Sequence, residues 1–220
     1  LCSYESTYAQ NWGRKVSSLI DEYGKEFFSV CLKSSPQTAA YFEIAGSNGS
    51  MTSVGAGGPI TGKGADLIII DDPVKNDEEA NSPTYRDKIW DWYRSTVFTR
   101  VEPNGAIILI MTRWHEDDLA GRIINEMQRG GQHWETLIIP AIAEQDDPIG
   151  RNPGEPLWSK KFNLPTLKEI RKTIGQYWFN ALYQQRPSPA GGGILKKKFF
   201  RYFSQVDGNF VLQIGENQQI

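Results

Sequence analysis

Two uninterrupted apolar runs, "DLIII" at 66–70 and "AIILIM" at 106–111, set the tightest limit on what this chain can fold into. Each has the length of one strand, and neither alternates with polar residues, the mark of a central parallel strand covered on both faces. Between them lies "NSPTYRDKIWDWYRSTVFTRV". There Ser82 is a good helix N-cap, Pro83 fits the first helical position, and Tyr85, Ile89, Trp92 and Tyr93 form an apolar stripe. A second amphipathic helix is expected in "EDDLAGRIINEMQ" through Leu119, Ile123 and Met127, and a third strand in "HWETLIIPA". Strands alternating with helices predict a mostly parallel α/β sheet flanked by helices.

Outside this centre, a helix is expected over 6–22 with Ser6 or Thr7 as its cap. "TAAYFEIAG" followed by "GSMTSVGAGG" suits a short hairpin, and residues 144–165 read as a loop. "TLKEIRKTIGQYWFNALYQQ" gives one or two helices with a break at Gly175, and "PSPAGGGI" at 187–194 reads as a linker. Seven Trp supply ample material for a core. The net charge of −2 excludes bulk attraction to nucleic acid, so a DNA partner would need a local basic patch. Two isolated cysteines exclude a disulfide framework and predict a reducing compartment. No apolar run approaches a membrane span. The start, "LCSYESTYAQNWGRKV", has no initiator Met and no signal core, and the end, "DGNFVLQIGENQQI", reads as a strand with nothing after it to pair against. Both ends predict a fragment.

The stretch "GAGGPITGKGADLIIIDDPVKN" at 55–76 holds two candidate halves of a nucleotide site. Gly57, Gly62 and Lys63 have P-loop spacing, but Gly64 supplies no hydroxyl for Mg²⁺ and no helix follows. The glycines read as a turn entering a strand. The acids Asp71 and Asp72 differ, because an aliphatic strand ending in adjacent carboxylates can present one to a Mg²⁺ ion and the other to an attacking water. On this feature alone, a turn or cap role for the same acids fits equally well. In "WHEDD" at 114–118 the acids suit the positive end of a helix better than a metal site, since the second His of H-E-x-x-H is missing. "LKKKFFRYF" at 195–203 interleaves Lys196, Lys197, Lys198 and Arg201 with aromatics, a pattern able to contact DNA.

The ordered segments "DLIIIDDP", "MTRWHEDDLAGR" and "LYQQRP" resemble the large terminase subunit of tailed bacteriophages and prophages, the ATP-driven DNA-packaging motor. The likeness runs from about residue 1 to 203. It implies a P-loop ATPase-like fold over residues 1–186 that lacks its N-terminal phosphate-binding unit, a linker over 187–198, and over 199–220 the beginning of an RNase H-like nuclease domain. By the same resemblance Asp71 is the Mg²⁺-binding carboxylate and Asp72 the catalytic one, although Asp72 stands where related motors often carry Glu. Thr112 and Arg113 match the motif that couples hydrolysis to movement, and Lys63 a basic residue that meets nucleotide, in some relatives across a subunit boundary. The implied cofactors are Mg²⁺ and ATP. The implied partners are double-stranded DNA, the small terminase subunit, the portal protein of the procapsid and further copies in a homo-oligomeric ring, in the host cytoplasm. The expected parent activity is ATP hydrolysis coupled to packaging, with endonucleolytic cleavage of concatemeric DNA; the fragment alone is expected to be inactive. The alternative is a non-catalytic prophage remnant or a DNA- or partner-binding module.

Overall fold

A computed structural model describes residues 1–34, 37–60 and 62–188 in full, together with the backbone of Tyr202–Val206 and Asn209–Gln213. Its centre is a four-stranded sheet built from β1 (Cys2–Ser3), β4 (Val54–Gly55), β5 (Ala65–Asp71) and β6 (Val101–Ile110), in the order β4-β1-β5-β6. Every pairing in it is parallel. A separate antiparallel hairpin joins β2 (Tyr41–Glu43) to β3 (Ser50–Thr52), as expected for that region.

Helices close the parallel connections. α1 (Ser6–Leu19) continues through a wider turn at Ile20–Gly24 into the short α2 (Lys25–Phe28), farther than the expected end at residue 22. The expected cap is also corrected. Glu5 holds the N-cap position without a side-chain bond, and the Ser6 hydroxyl instead accepts the Gly55 N–H at 3.0 Å. β5 and β6 are connected by α3 (Asp77–Asn81) and α4 (Pro83–Trp92), and Ser82 caps α4 through the Tyr85 N–H, with Pro83 in its first turn. α5 (Leu119–Gln128) follows β6, and α6 (Leu164–Trp178) runs across a kink at Gly175, whose φ of 80° only glycine adopts without strain.

One face of the sheet is filled. Ile68 and Ile70 of β5 and Cys2 of β1 pack with Ile89, Trp92 and Tyr93 from the α4 region and with Leu119 and Ile123 of α5. Successive strand residues point to opposite faces, so Ser3, Gly55 and Asp71 share the other face. There α1 begins directly over β4: a Cβ on Gly55 would stand 2.9 Å from the Ser6 nitrogen. α1 therefore leaves one side of the sheet and α4 the other.

Over β5 and β6 that second face is open. Leu67 is 51% exposed, Ile108 44% and Ile110 54%. The expectation that both apolar runs are covered on both faces is thus corrected. β5 is central but buried on one side, and β6 is the edge of the sheet. The third strand expected in "HWETLIIPA" does not form: among the described residues, 133–140 join no ladder. At the other end, Asn209–Gln213 (β8) does find a partner, pairing antiparallel with Tyr202–Val206 (β7) before it. The linker beyond residue 188 and Lys196, Lys197, Lys198 and Arg201 lie outside the described residues.

Ile70→Ala should lower stability by about 2–5 kcal/mol, because it leaves a cavity in the filled face. Leu67→Ala, three positions earlier on the open face, should cost less than about 1 kcal/mol. Urea unfolding of the two variants reads the difference directly; equal costs would mean that both faces are covered.

Candidate functional site

The chain leaves β1 toward β4 through a helix on one face and leaves β5 toward β6 through helices on the other. The carboxyl ends of β1 and β5 therefore flank a point where the connections diverge, the position at which open α/β sheets form their ligand crevice. Asp71 ends β5 at this point, paired in register with Ser3 on one side and Ile110 on the other.

The backbone then turns sharply. Asp72 has a φ of 44°, a left-handed conformation that aspartate tolerates better than most residues. Three bonds hold it there. Its N–H donates to the Ile110 carbonyl at 2.9 Å, and its own carbonyl accepts the Tyr4 N–H at 2.9 Å. Its side-chain Oδ1 accepts the Thr112 N–H at 2.8 Å. Asp72 thus ties the ends of three neighbouring strands together, with Oδ2 free of protein donors among the described residues.

Asp71 has no side-chain hydrogen bond among the described residues. Partial burial, and secondarily the adjacent Asp72 charge, raise its carboxyl above the ordinary value. Two carboxylates this close, one without any protein donor, are chemically suited to a divalent cation. Mg²⁺ is commonly held by one or two carboxylates with water and phosphate completing the shell, so the absence of any cluster of three or more metal-binding groups among the described residues is consistent with that use.

Of the remaining expected residues, Thr112 joins this group and two do not. The Arg113 guanidinium turns away to Asp118, with Nε 2.7 Å from Oδ2, and its backbone N–H donates to Gln185 Oε1 at 3.2 Å. Asp118 is 2% exposed and also caps α5 by accepting the Gly121 N–H. Lys63 lies before the opposite end of β5, roughly 20 Å from Asp71 at strand rise. Its ammonium sits 3.9 Å from the Tyr41 ring centroid and donates to Thr52 Oγ1. In this structure Lys63 therefore does not join the acid pair.

Two of the "WHEDD" acids, Asp117 and Asp118, have structural partners. Asp117 receives Arg122 through Nε and Nη2 and Arg86 through Nε, and Arg122 also reaches Asp87. His115 Nδ1 accepts the Asp117 N–H, and burial lowers its pKa. Asp117 and Asp118 are thus committed to arginines and do not join Asp71 and Asp72 in a nuclease-like metal pair.

Two residues of consequence carried no role in the sequence reading. Gln184, nearly buried, pairs with Ile142 in both directions: Oε1 accepts its N–H at 2.9 Å and Nε2 donates to its carbonyl at 3.0 Å. Gln185, at a φ of 56°, holds Arg113. The signal was present as two adjacent amides directly after an apolar helix end in "LYQQRP".

These features define an open parallel α/β protein with an acid pair at the divergence point of its sheet. The chain belongs to the family described as "Terminase large subunit, T4likevirus-type, N-terminal", which it matches over residues 13–178. That membership connects it with a DNA-packaging motor. No curated protein matches it. Among the described residues no helix is long and apolar enough to cross a membrane.

Asp72→Asn retains an oxygen for Thr112 but removes the neighbouring charge, so it should bring the Asp71 carboxyl part of the way back toward its ordinary value while the effect of burial remains; carboxyl ¹³C titration measures this. At Asp117 the sign is opposite. Hydrogen bonds from Arg122, and then from Arg86, hold its carboxyl below the ordinary value, against the effect of burial. Its contribution to stability is present above the unfolded-state value near 4 and is lost as pH falls through the lowered one. The stability gap between wild type and Asp117→Asn should therefore close as pH drops from about 4 to about 2. A gap that persists or widens on acidification would show that the arginines do not depend on the Asp117 charge.

Proposed function

We propose that this chain carries the Mg²⁺-facing, acid-bearing part of the ATPase in a phage DNA-packaging motor. The observation that carries the reading is the pair Asp71 and Asp72 at the divergence point, one carboxylate without a donor among the described residues and the other tied to the next strand. A divalent ion, when bound there with a nucleoside triphosphate, would neutralise charge on the phosphates and on both acids. Asp71 would hold the cation. Asp72, through its free Oδ2, would orient water; its Oδ1, fixed by the Thr112 N–H, keeps that carboxylate from swinging away.

Coupling follows the same bonds. A shift at Asp72 would move Thr112, then Arg113, and through the Arg113 N–H would reach Gln185 at the end of the α6 region. Arg113 acts in this scheme as a relay anchored on Asp118, and a direct phosphate contact would require it to leave that partner. Lys63, at the far end of β5, would meet a nucleotide on another subunit of a homo-oligomeric ring.

The division into 1–186, a linker over 187–198 and a nuclease beginning at 199–220 remains part of this proposal, supported by an antiparallel β7–β8 pair distinct in topology from the parallel sheet. So do double-stranded DNA, the small terminase subunit and the portal protein as partners, and the host cytoplasm as the setting. The 220 residues contain no G-x-x-x-x-G-K-[ST]. Since that loop positions the phosphates in such chemistry, the chain by itself is proposed not to turn over ATP.

The test is paramagnetic broadening by Mn²⁺ with triphosphate. Amides of Ser3, Asp72 and Thr112 should broaden selectively, and Asp71→Ala should abolish the effect. In a full-length subunit the same substitution should reduce ATP hydrolysis roughly hundredfold or more. Broadening that ignores Asp71→Ala, or phosphate release by the isolated 220-residue chain, would overturn the proposal.

A further inference from the structure

The hydroxyl of Ser3 is a buried polar group that the fold leaves without a partner. Ser3 is 0% exposed, and its Oγ makes no hydrogen bond among the described residues. A hydroxyl held in that way costs free energy that an alanine at the same place would not. Its position narrows what could satisfy it. Ser3 lies in β1 between Gly55 of β4 and Asp71 of β5, in register with both and on the same face of the sheet. Gly55 has no side chain, so along this row the one polar side chain beside Ser3 is the Asp71 carboxylate, on a strand about 4.8 Å away. The first turn of α1 begins over Gly55, and the Ser6 hydroxyl there is already engaged by the Gly55 N–H.

Asp71 is the complement of this group, an acceptor without a donor beside a donor without an acceptor. Burial and the Asp72 charge both act against its ionised form, and no hydrogen bond offsets them. The two side chains differ in exposure. Asp71 is half-buried and can reach a cation in the crevice, whereas the Ser3 Oγ is already sealed from solvent by the described residues. A cation has no direct route to that hydroxyl, and neither has any further segment laid over the sheet. Whatever Ser3 does for the site must therefore pass through Asp71.

We propose that Ser3 is a positioning residue for Asp71: when a divalent cation draws one carboxylate oxygen of Asp71 into the crevice, the Ser3 hydroxyl donates to the other. Rotation about the Ser3 Cα–Cβ bond is the movement this asks of Ser3. Holding the second oxygen orients the ligand and makes it a better one, as hydrogen bonds to ligating carboxylates do. The bond also gives the orphaned hydroxyl an ionised partner, the stronger kind. The inference rests on the metal-facing role given to Asp71 above, and adds to it the residue that keeps that carboxylate in place.

The probe is Mn²⁺ alone, titrated into the full 220-residue chain and read by broadening of the Asp72 and Thr112 amides. Ser3→Ala should weaken binding roughly ten- to hundredfold, while Asp71→Ala abolishes it. Urea unfolding in EDTA should show no loss of stability in Ser3→Ala, because the hydroxyl it removes has no partner in the metal-free chain. At saturating Mg²⁺ the Asp71 Hα–Hβ couplings should report one rotamer in the wild type and averaged rotamers in Ser3→Ala, a difference that a packing role would not produce. Unchanged affinity in Ser3→Ala, with Asp71→Ala still abolishing binding, would overturn this proposal and leave the metal reading standing. Lost stability in EDTA, with affinity and couplings unchanged, would overturn it in favour of a partner in the first turn of α1. Binding that ignores Asp71→Ala would remove the metal reading and this proposal with it.

Discussion

The register of β5 against β6 is the constraint on which the rest of the structure depends. Pairing of Ile68 with Ile107 and of Ile70 with Leu109 places four aliphatic side chains on the filled face. The same register sets Asp71 opposite Ile110, which brings the Asp72 N–H to the Ile110 carbonyl and the Asp72 carboxylate to the Thr112 N–H. A slip of one residue would expose Ile68 and Ile70 and turn Asp71 into the core. Burial of the aliphatics and position of the acids are therefore a single choice. The hydrophobic term makes it, since burying two isoleucines outweighs any one surface hydrogen bond.

What could be read from the sequence follows from which properties belong to one segment and which to a pair. Ser82 and Pro83 at the start of α4, and the apolar runs as parallel strands, are local signals and were legible. So were Asp71 and Asp72 at a strand end. The strand expected at "HWETLIIPA" has the right composition, but a strand exists only with a neighbour, and among the described residues none lies against it. Coverage of β5 on both faces was misjudged for a related reason: an unbroken apolar run records what the segment tolerates, not what lies above it. The bond from Thr112 to Asp72 spans 40 residues and has no local signature.

Lys63 and Arg113 illustrate the same limit at the site. Lys63 precedes the acids by only eight residues, yet a strand separates them, so closeness in sequence becomes distance in space. The Arg113 guanidinium is held by Asp118, five residues further on, and not by anything at the acid pair. Asp118 serves both the α5 N-terminus and the guanidinium, so a buried carboxylate satisfied on two sides fixes the arginine. Burial raises the Asp118 carboxyl in spite of those partners, which marks the pair as costly to desolvate and strongly dependent on both members.

The two adjacent glutamines give the structure a mechanical character. Gln184 locks the chain onto Ile142 with a two-way amide pair, and Gln185 immediately afterwards grips Arg113. Tension applied to the polypeptide beyond Arg186 would load the Arg186 bonds to Asn180 and Glu144 and then these few bonds, and through them the tip of β6, with the α6 region held as a strut. The end of that strand is in this sense a loaded joint, and whatever pulls on the chain after residue 186 pulls on Arg113 as well.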